Sequence, residues 1–435
     1  MASVSRQLLT LALLLAPCWL AAEPDSSPSK LVSVGKIQPQ AVSEFKEFFG
    51  NTFGHQGERH SEDEAIPAKG VLPDGEVPDS AWYVNRHAKQ RMSRSELQRG
   101  PGNSTPPSES GHWTIISAKT EGITPGFVIV DTAGRKFLIK FDPYDFPELA
   151  SGADVVSSKF FHALGYYVPE NYIVNFDATK LVLKQGSQAA LAPRQLKKAL
   201  ARLRKGKDGR IRAMASKFLD GEPVGPFLFH GRRADDPNDQ IPHEHRRELR
   251  GLYLFSAWLN HTDAKSGNSL DMVVTEGGIR HVRHHLIDFG ATLGSATHEA
   301  KSARQGHEHL IEFRPSLIQI ATLGAYVPKW ARVQHSKSPA VGAFEAEAFD
   351  PAKWKPNYPN PAFENRLPED LSWASSKIAA FTDSDIAAIV ETGQYSDPQA
   401  AAWITKNLIL RRDKILAQYA TTAVRRKSMP TAAGR

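Results

Sequence analysis

The segment at residues 243–268 constrains the fold of this chain more than any other. It begins with charged residues, becomes amphipathic, and is apolar all round by Trp258. A helix with this pattern enters a hydrophobic core as it proceeds. The polar run of residues 260–268 follows at once, so we expect the core to hold that run in a fixed place.

Regular periodicity begins at His112 and changes character along the chain. Residues 112–220 alternate as short strands, with one amphipathic helix that ends at Gly165 and a basic helix inserted at 188–204. Residues 221–422 are mostly helical apart from a hairpin at 269–286. The sequence therefore predicts an α+β protein with two lobes: a small antiparallel sheet with one helix, then a mainly helical lobe with extra C-terminal helices.

Both ends of the chain differ from this central region. Arg6 precedes an apolar run at residues 8–22, the pattern of a secretory signal, and we expect cleavage after Ala22 and export to a bacterial periplasm or the medium. A lipoprotein signal at Cys18 or an uncleaved anchor is the alternative. Residues 23–111 are rich in Pro, Gly, Ser and charge, and we interpret them as a partly disordered N-terminal arm. Residues 423–435 form a basic tail.

The amino-acid composition limits the kinds of site and partner that this protein can have. Cys18 is the only cysteine, so the mature chain would have no disulfide, no thiolate metal site and no cysteine nucleophile, which suits a bacterial envelope. The formal charge of +7 favours anionic partners such as nucleotides, but it is too diffuse to indicate nucleic acid. No segment after the signal is apolar enough to span a bilayer. The oligomeric state stays open.

The polar run contains a spacing that is typical of phosphotransfer sites. Asp263 precedes Asn268 by five residues, which allows one tight loop to present both side chains to the same volume. Asp263 would orient an acceptor hydroxyl and take its proton, and Asn268 would bind a metal ion through its amide oxygen. Lys265 would neutralise charge on the transferred group. A simple polar turn between helix and strand is the alternative.

Two further charged residues lie in apolar strands. Asp288 ends one of them, where a carboxylate needs a cation, and Mg²⁺ on phosphates is a natural choice. Lys140 lies in another and needs an anion, unless it snorkels from an edge strand. A nucleotide phosphate would serve, as would Asp154 or Glu148 from the following helix. Asp154 could equally offset the dipole at the start of that helix.

Two further sequence patterns give weaker indications of a functional site. Gly122 and Gly126 flank a turn between the first two strands, where backbone amides could cover phosphates, and a plain hairpin turn explains them equally well. Several histidines, among them His243, His245 and His281, invite a zinc interpretation. A third ligand at a suitable spacing is not visible in the sequence.

The motif His261-x-Asp263-x-x-x-x-Asn268, followed by Asp288-Phe289-Gly290 and preceded by Lys140, resembles the protein-kinase-like superfamily over residues 113–294. The surrounding sequence is most similar to its atypical branches, which include HipA-type bacterial kinases, phosphatidylinositol kinases and secretory-pathway kinases. It lacks the Gly-x-Gly-x-x-Gly loop and the Ala-Pro-Glu signature of regulated kinases.

The resemblance implies a two-lobed kinase-like fold with ATP in the cleft. It implies that Lys140 contacts the α- and β-phosphates, that Asp263 is the catalytic base, and that Asn268 and Asp288 bind Mg²⁺. The expected function is an exported, ATP- and Mg-dependent phosphotransferase with a hydroxyl-bearing acceptor of unknown kind. An adenylyltransferase or a non-catalytic envelope binding protein on the same scaffold is the alternative.

Overall fold

A computed structural model describes residues 31–55, 57, 65–103, 105–118, 126–184, 193–312, 321–322 and 325–427. The expected secretory signal at residues 1–22, the turn residue Gly122 and the tail from residue 428 lie outside the described residues. Residues 423–427 of the expected basic tail continue the last helix. Within the described ranges, no helix has both the length and the apolar character needed to cross a membrane.

The described part of the N-terminal arm is packed, although its composition indicates disorder. It contains the helices α1 (Glu44–Phe53) and α2 (Arg94–Arg99). Trp82 stacks on the His284 ring at 3.5 Å, and Tyr83 and Leu97 are fully buried. Three large apolar side chains are enough to hold an otherwise polar segment against a core. The arm therefore belongs to the folded body wherever it is described.

One lobe is built on a six-stranded sheet. Its strands are β1 (Trp113–Ala118), β2 (Gly126–Val130), β3 (Lys136–Lys140), β4 (Asn171–Phe176), β5 (Leu181–Leu183) and β6 (Ile211–Lys217). Their spatial order is β4-β6-β3-β2-β1-β5, and every neighbouring pair is antiparallel except β1 with β5. Ile115, Ile129 and Ile139 are fully buried, as period-2 alternation predicts.

Two helices accompany this sheet. The helix α3 (Leu149–Leu164) lies between the sheet and the other lobe and is buried along almost its whole length. It ends at Gly165, as predicted, with φ of 122°, and a Cβ at that glycine would lie 2.3 Å from the Tyr83 ring. The basic helix α4 (Pro193–Leu200) packs Leu196 and Leu200 on the apolar cluster of the sheet.

The second lobe is mainly helical, which confirms the α+β class. Its helices are α5 (Arg247–Leu259), α6 (Pro361–Glu364), α7 (Pro368–Ile378), α8 (Asp383–Glu391) and α9 (Pro398–Lys427), and it carries the antiparallel strands β7 (Glu222–Pro223), β8 (Ser269–Glu276) and β9 (Ile279–Leu286). Every residue of α5 is buried. Trp258 packs against the Phe160 and Phe381 rings and donates a hydrogen bond to the Leu408 carbonyl. The expectation that this helix enters a core is confirmed.

Candidate active site

The loop of residues 260–268 leaves the buried end of α5. Asn260 ends that helix in the left-handed region (φ 52°), and its side-chain oxygen accepts a hydrogen bond from Trp354 Nε1 at 2.8 Å. The His261 ring then packs against the Phe161 and Phe289 rings. Burial lowers the pKa of His261 to about 3, so its ring is neutral at physiological pH. The start of the loop is thus fixed by core packing.

Asp263 and Asn268 share one volume, as their spacing predicts. The Asn268 amide nitrogen donates to the Asp263 backbone carbonyl at 2.8 Å and to its carboxylate at 2.9 Å. Asn357 donates to the other carboxylate oxygen at 3.3 Å, and the Lys265 amine lies 3.3 Å from that same oxygen. Because the Asn268 nitrogen faces Asp263, its amide oxygen is the atom available to a metal ion.

Lys140 is held by two carboxylates. Its Nζ lies 3.1 Å from Asp154 Oδ2 and 2.9 Å from Asp288 Oδ1, and its side chain is only 12% exposed. Asp154 is therefore the helix partner of this lysine. Glu148 lies instead in a left-handed conformation before α3, where it accepts a hydrogen bond from the Ser396 amide. An edge-strand lysine that snorkels into solvent does not fit this geometry.

Backbone contacts tie the strand end at Asp288 to the loop. The Ile287 amide donates to the Asn268 carbonyl at 2.9 Å, and the Phe289 amide donates to Asp154 at 3.2 Å. Phe289 is fully buried and stacks on Phe161 of α3, with ring centroids 5.0 Å apart. Asp288 itself has φ of 56°, a conformation that the surrounding contacts must maintain. The two sequence motifs thus form one connected unit.

The site has three carboxylates and two amines. Burial raises the pKa of Asp263. The facing Lys265 and Asn268 lower this pKa in part, and the nearby Asp288 charge raises it. Burial also raises the pKa of Asp154, with Lys140 acting in the opposite direction. Although burial lowers the pKa of Lys140, Asp154 and Asp288 raise it above its ordinary value. Asp154 and Asp288 thus keep the Lys140 amine charged, and Lys265 faces Asp263.

Magnesium fits the donor set. Asp288 supplies a carboxylate and Asn268 an amide oxygen, and Mg²⁺ commonly takes one or two such protein ligands, with water and phosphate completing its shell. A cavity of about 10 Å³ is lined by Lys140, Asp154, Asp288 and Gly290 among others, which is room for about one water molecule. Phosphate groups would therefore have to separate Lys140 from Asp288.

The histidines that suggest a zinc site have other contacts in the structure. His243 pairs with Asp239 at 2.7 Å and His284 with Asp271 at 2.7 Å, and both rings pack against Trp82. Within the part of the chain that the structure describes, no three His, Cys, Asp or Glu side chains are grouped so that they could hold a metal ion. These histidines support the packed arm, and the described residues offer no zinc centre built on them.

The structure describes only part of the turn that is predicted to cover phosphates. Gly126 is the first residue of β2 and pairs with Lys140 of β3, so its backbone lies beside the lysine. Gly122 falls outside the described residues. The role of both glycines toward phosphates stays a prediction.

Lys301 is a residue of this region that no sequence pattern indicates. Its fully buried amine donates to the Asn260 carbonyl at 2.5 Å and to the Ala291 carbonyl at 2.7 Å, which joins the end of α5 to the segment after Gly290. Burial lowers the pKa of this amine to about 7. A lysine in an irregular segment gives no sequence signal for such a contact, because both acceptors are backbone atoms.

Lys301→Met should destabilise the protein, and more so at alkaline pH. The variant loses the hydrogen bonds from Lys301 to two buried carbonyls, at about 0.5–1.5 kcal/mol each, while the Thr262 amide still donates to the Asn260 carbonyl at 3.0 Å. Because the folded-state pKa of Lys301 lies near 7 and that of an unfolded lysine near about 10.4, the unfolded state binds more protons between these values. The contribution of Lys301 to stability therefore rises with pH over this range.

Urea unfolding at about pH 6 and about pH 9 measures this dependence. The stability difference between wild type and Lys301→Met should be larger at the higher pH, whereas Lys406→Met, on the exposed side of α9, should be close to neutral at both. A difference that shrinks as the pH rises would contradict the account of a buried lysine clamp.

The contact of α1 with the loop also has no signal in the sequence. The Lys265 amine forms an ion pair with Glu44, and the Ser266 amide donates to Glu47 Oε1 at 2.8 Å. Lys265 is thus shared between Asp263 of its own loop and a helix of the N-terminal arm. The spacing of these residues in the sequence exceeds 200 positions, so periodicity cannot reveal the contact.

No protein-family model matches the sequence, and no curated protein matches it. Among solved structures, the chain is similar to the proinflammatory kinase CtkA of Helicobacter pylori, with 12% identity, a TM-score of 0.42, and coverage of 74% of this chain and 100% of that one. It is also similar to the Golgi casein kinase, with 11% identity, a TM-score of 0.35 and coverage of 95% of each chain. For the Golgi casein kinase with Mn/ADP bound, the identity is 10% and the TM-score 0.31, with 75% of this chain and 73% of that one covered.

All three of these structural neighbours are named as kinases. At these TM-scores, the contacts of Lys140, Asp263 and Asp288 described above are what support a function.

Proposed function

We propose that this chain is a phosphotransferase that moves the γ-phosphoryl group of ATP to a hydroxyl acceptor, with Mg²⁺ bound at Asn268 and Asp288. The observation that carries the proposal is the connected cluster itself. Lys140 joins Asp154 and Asp288, and Asp263 is hydrogen-bonded to Asn268. Few other reactions need a strand lysine, a helix carboxylate and an Asp–Asn loop in one place.

Each protein group has a distinct task. Lys140 holds the nucleotide phosphates while Asp154 keeps its amine charged and oriented. Asp263 faces the acceptor hydroxyl, whose oxygen attacks the γ-phosphorus while ADP departs, and the hydroxyl proton passes to the Asp263 carboxylate. Lys265 neutralises charge on the group in transfer. Bound Mg²⁺ supplies neutralisation of the phosphate charge.

The experiment is an incubation with Mg–ATP followed by intact-mass measurement of the chain and of supplied peptides and sugars that bear hydroxyl groups. Phosphoryl transfer adds about 80 Da to the acceptor, and adenylyl transfer adds about 329 Da. We expect the smaller increase, with ADP released in equal amount. The larger increase would show the adenylyltransferase alternative. No nucleotide turnover and no thermal shift at millimolar Mg–ATP would indicate a non-catalytic binding protein without a nucleotide site.

Export is part of the proposal and rests on the apolar run at residues 8–22. The same mass measurement, made on protein recovered from the periplasm or the medium of a bacterial host, should show a chain that begins at Glu23. A full-length chain confined to the cytoplasm would contradict export without touching the proposed reaction. ATP is scarce outside the cytoplasm, so this result decides where the reaction can run.

A further inference from the structure

The helix α1 precedes both lobes in the sequence yet lies against the loop of Asp263. Its Glu44 pairs with the Lys265 amine, and its Glu47 accepts the Ser266 amide at 2.8 Å. The Phe48 ring meets the Tyr358 ring edge to face at 5.4 Å. One turn of this helix therefore touches the loop at two consecutive residues.

The position of α1 is fixed from outside the loop. The Val34 amide donates to the Arg280 carbonyl at 2.7 Å, and the Gln40 amide donates to the Val224 carbonyl at 2.9 Å. Val34 and Ile37 are buried in a small apolar cluster with residues of β8 and β9. The segment before α1 is thus anchored to the helical lobe, and the two acidic side chains reach the loop from an independent support.

Glu47 has the geometry of a positioning residue. Its carboxylate binds the Ser266 amide midway between Asp263 and Asn268, the two residues whose relative placement matters for transfer. A hydrogen bond from a backbone amide to a carboxylate is shorter and stronger than a neutral one. Burial raises the pKa of Glu47, and the bonds to Ser266 work against that rise. Loss of this bond would remove the support that α1 gives at Ser266, whereas Asn360 would still donate to the Ala264 carbonyl at 3.1 Å.

Glu44 opposes phosphate binding at the loop, whereas Glu47 supports the loop. Its carboxylate contacts the Lys265 amine, which the proposed reaction needs for the transferred phosphoryl group. The Glu44 side chain is 68% exposed and that of Lys265 is 13% exposed, so the pair is weak enough for a phosphate to displace it. An acidic side chain at this amine nevertheless competes with any incoming anion.

We propose that α1 is part of the active site, where Glu47 positions the loop of Asp263 and Glu44 occupies Lys265 until a phosphoryl group displaces it. The inference rests on the proposed function and assigns the N-terminal arm a role in it. The two glutamates of one helix then have opposite effects, which a purely structural helix would not produce.

Steady-state kinetics with Mg–ATP tests this prediction. Glu47→Ala should lower kcat by about tenfold with little change in KM for ATP, because the Ser266 amide loses the carboxylate that positions it between Asp263 and Asn268. Glu44→Gln should lower KM for ATP by about threefold and leave kcat undiminished, because the carboxylate that competes with phosphate for the Lys265 amine is gone. Lys46→Gln, on the same helix and exposed, is the matched control and should match wild type.

Glu47→Gln keeps an oxygen that can accept the Ser266 amide and should retain most of the wild-type kcat. Equal losses in Glu44→Gln and Glu47→Ala, or wild-type kinetics in both, would overturn the inference. A melting temperature measured for each variant separates loss of folding from loss of positioning.

Two readouts do not depend on turnover. Acetylation of Lys265 by an N-hydroxysuccinimide ester, followed by peptide mass, should be about threefold faster in Glu44→Gln, because Glu44 is one of the two carboxylates, with Asp263, that raise the pKa of this amine. Hydrogen exchange of the peptide that contains Ser266 should speed up in Glu47→Ala. Unchanged labelling and exchange would show that α1 does not hold the loop. If both change while wild type turns over no ATP, the proposed function fails, and the catalytic role of α1 fails with it.

Discussion

Asp263→Asn should reduce phosphoryl transfer by about 10²–10⁴-fold while nucleotide binding stays within about threefold of wild type. The substitution keeps the shape of the side chain and removes its ability to accept a proton. Lys140, Asp154 and Asp288 are untouched, so the groups assigned to the nucleotide keep their contacts. Asp263 accepts a proton and does not bind the nucleotide in this account. Its substitution should therefore lower kcat alone.

The measurement compares kcat and the Kd for Mg–ATP in both proteins. Asp145→Asn makes the same chemical change at an exposed carboxylate in the loop between β3 and α3 and should behave as wild type. If Asp263→Asn kept full activity, proton acceptance would have to be assigned to another group. If it instead lost nucleotide binding with unchanged kcat at saturation, Asp263 would belong to the metal site.

Asp288→Asn should weaken Mg–ATP binding by more than about 10²-fold. Loss of a group that only supports a metal ligand already costs about 10–100-fold in metal affinity, and a direct ligand should cost more. Asparagine tolerates the left-handed backbone at this position (φ 56°) better than alanine does, so the fold is preserved. Lys140 keeps Asp154 as its partner, which limits the effect on stability. Isothermal titration of ATP with and without Mg²⁺ measures the change.

Local patterns in the sequence were sufficient to place Asp263 beside Asn268 and to pair Lys140 with a carboxylate of the helix that follows it. Asp263 and Asn268 lie five residues apart in one tight loop, and Lys140 and Asp154 join a strand to the helix that follows it. Contacts of this range follow from the conformation of short segments, which periodicity and turn residues indicate. The burial of α5, and therefore the fixed position of the loop, also follows from its apolar surface.

Contacts between distant segments could not be predicted in this way. Glu44 and Lys265 are 221 residues apart, and Lys301 binds backbone carbonyls that carry no side-chain signature. The choice of Asp154 over Glu148 likewise depended on where α3 begins. Each of these follows from tertiary packing, which single-residue preferences do not encode.

The N-terminal arm shows why composition alone misleads. Its high content of Pro, Gly and charge predicts disorder, yet Trp82, Tyr83 and Leu97 are buried and α1 reaches the loop of Asp263. A few large apolar anchors outweigh a polar average, because the apolar surface that each buries is large. A truncation at residue 112 would thus remove part of the core and both acidic contacts of the loop.

The most direct test of the central claim is calorimetric titration of ATP into wild type and Asp288→Asn, each with Mg²⁺ and with the metal chelated. We predict binding to wild type that requires Mg²⁺, and no measurable binding to Asp288→Asn at the same concentrations. Equal Mg–ATP binding by the two proteins would contradict the assignment of Asp288 as a metal ligand. Absence of nucleotide binding to wild type would contradict the proposed site as a whole.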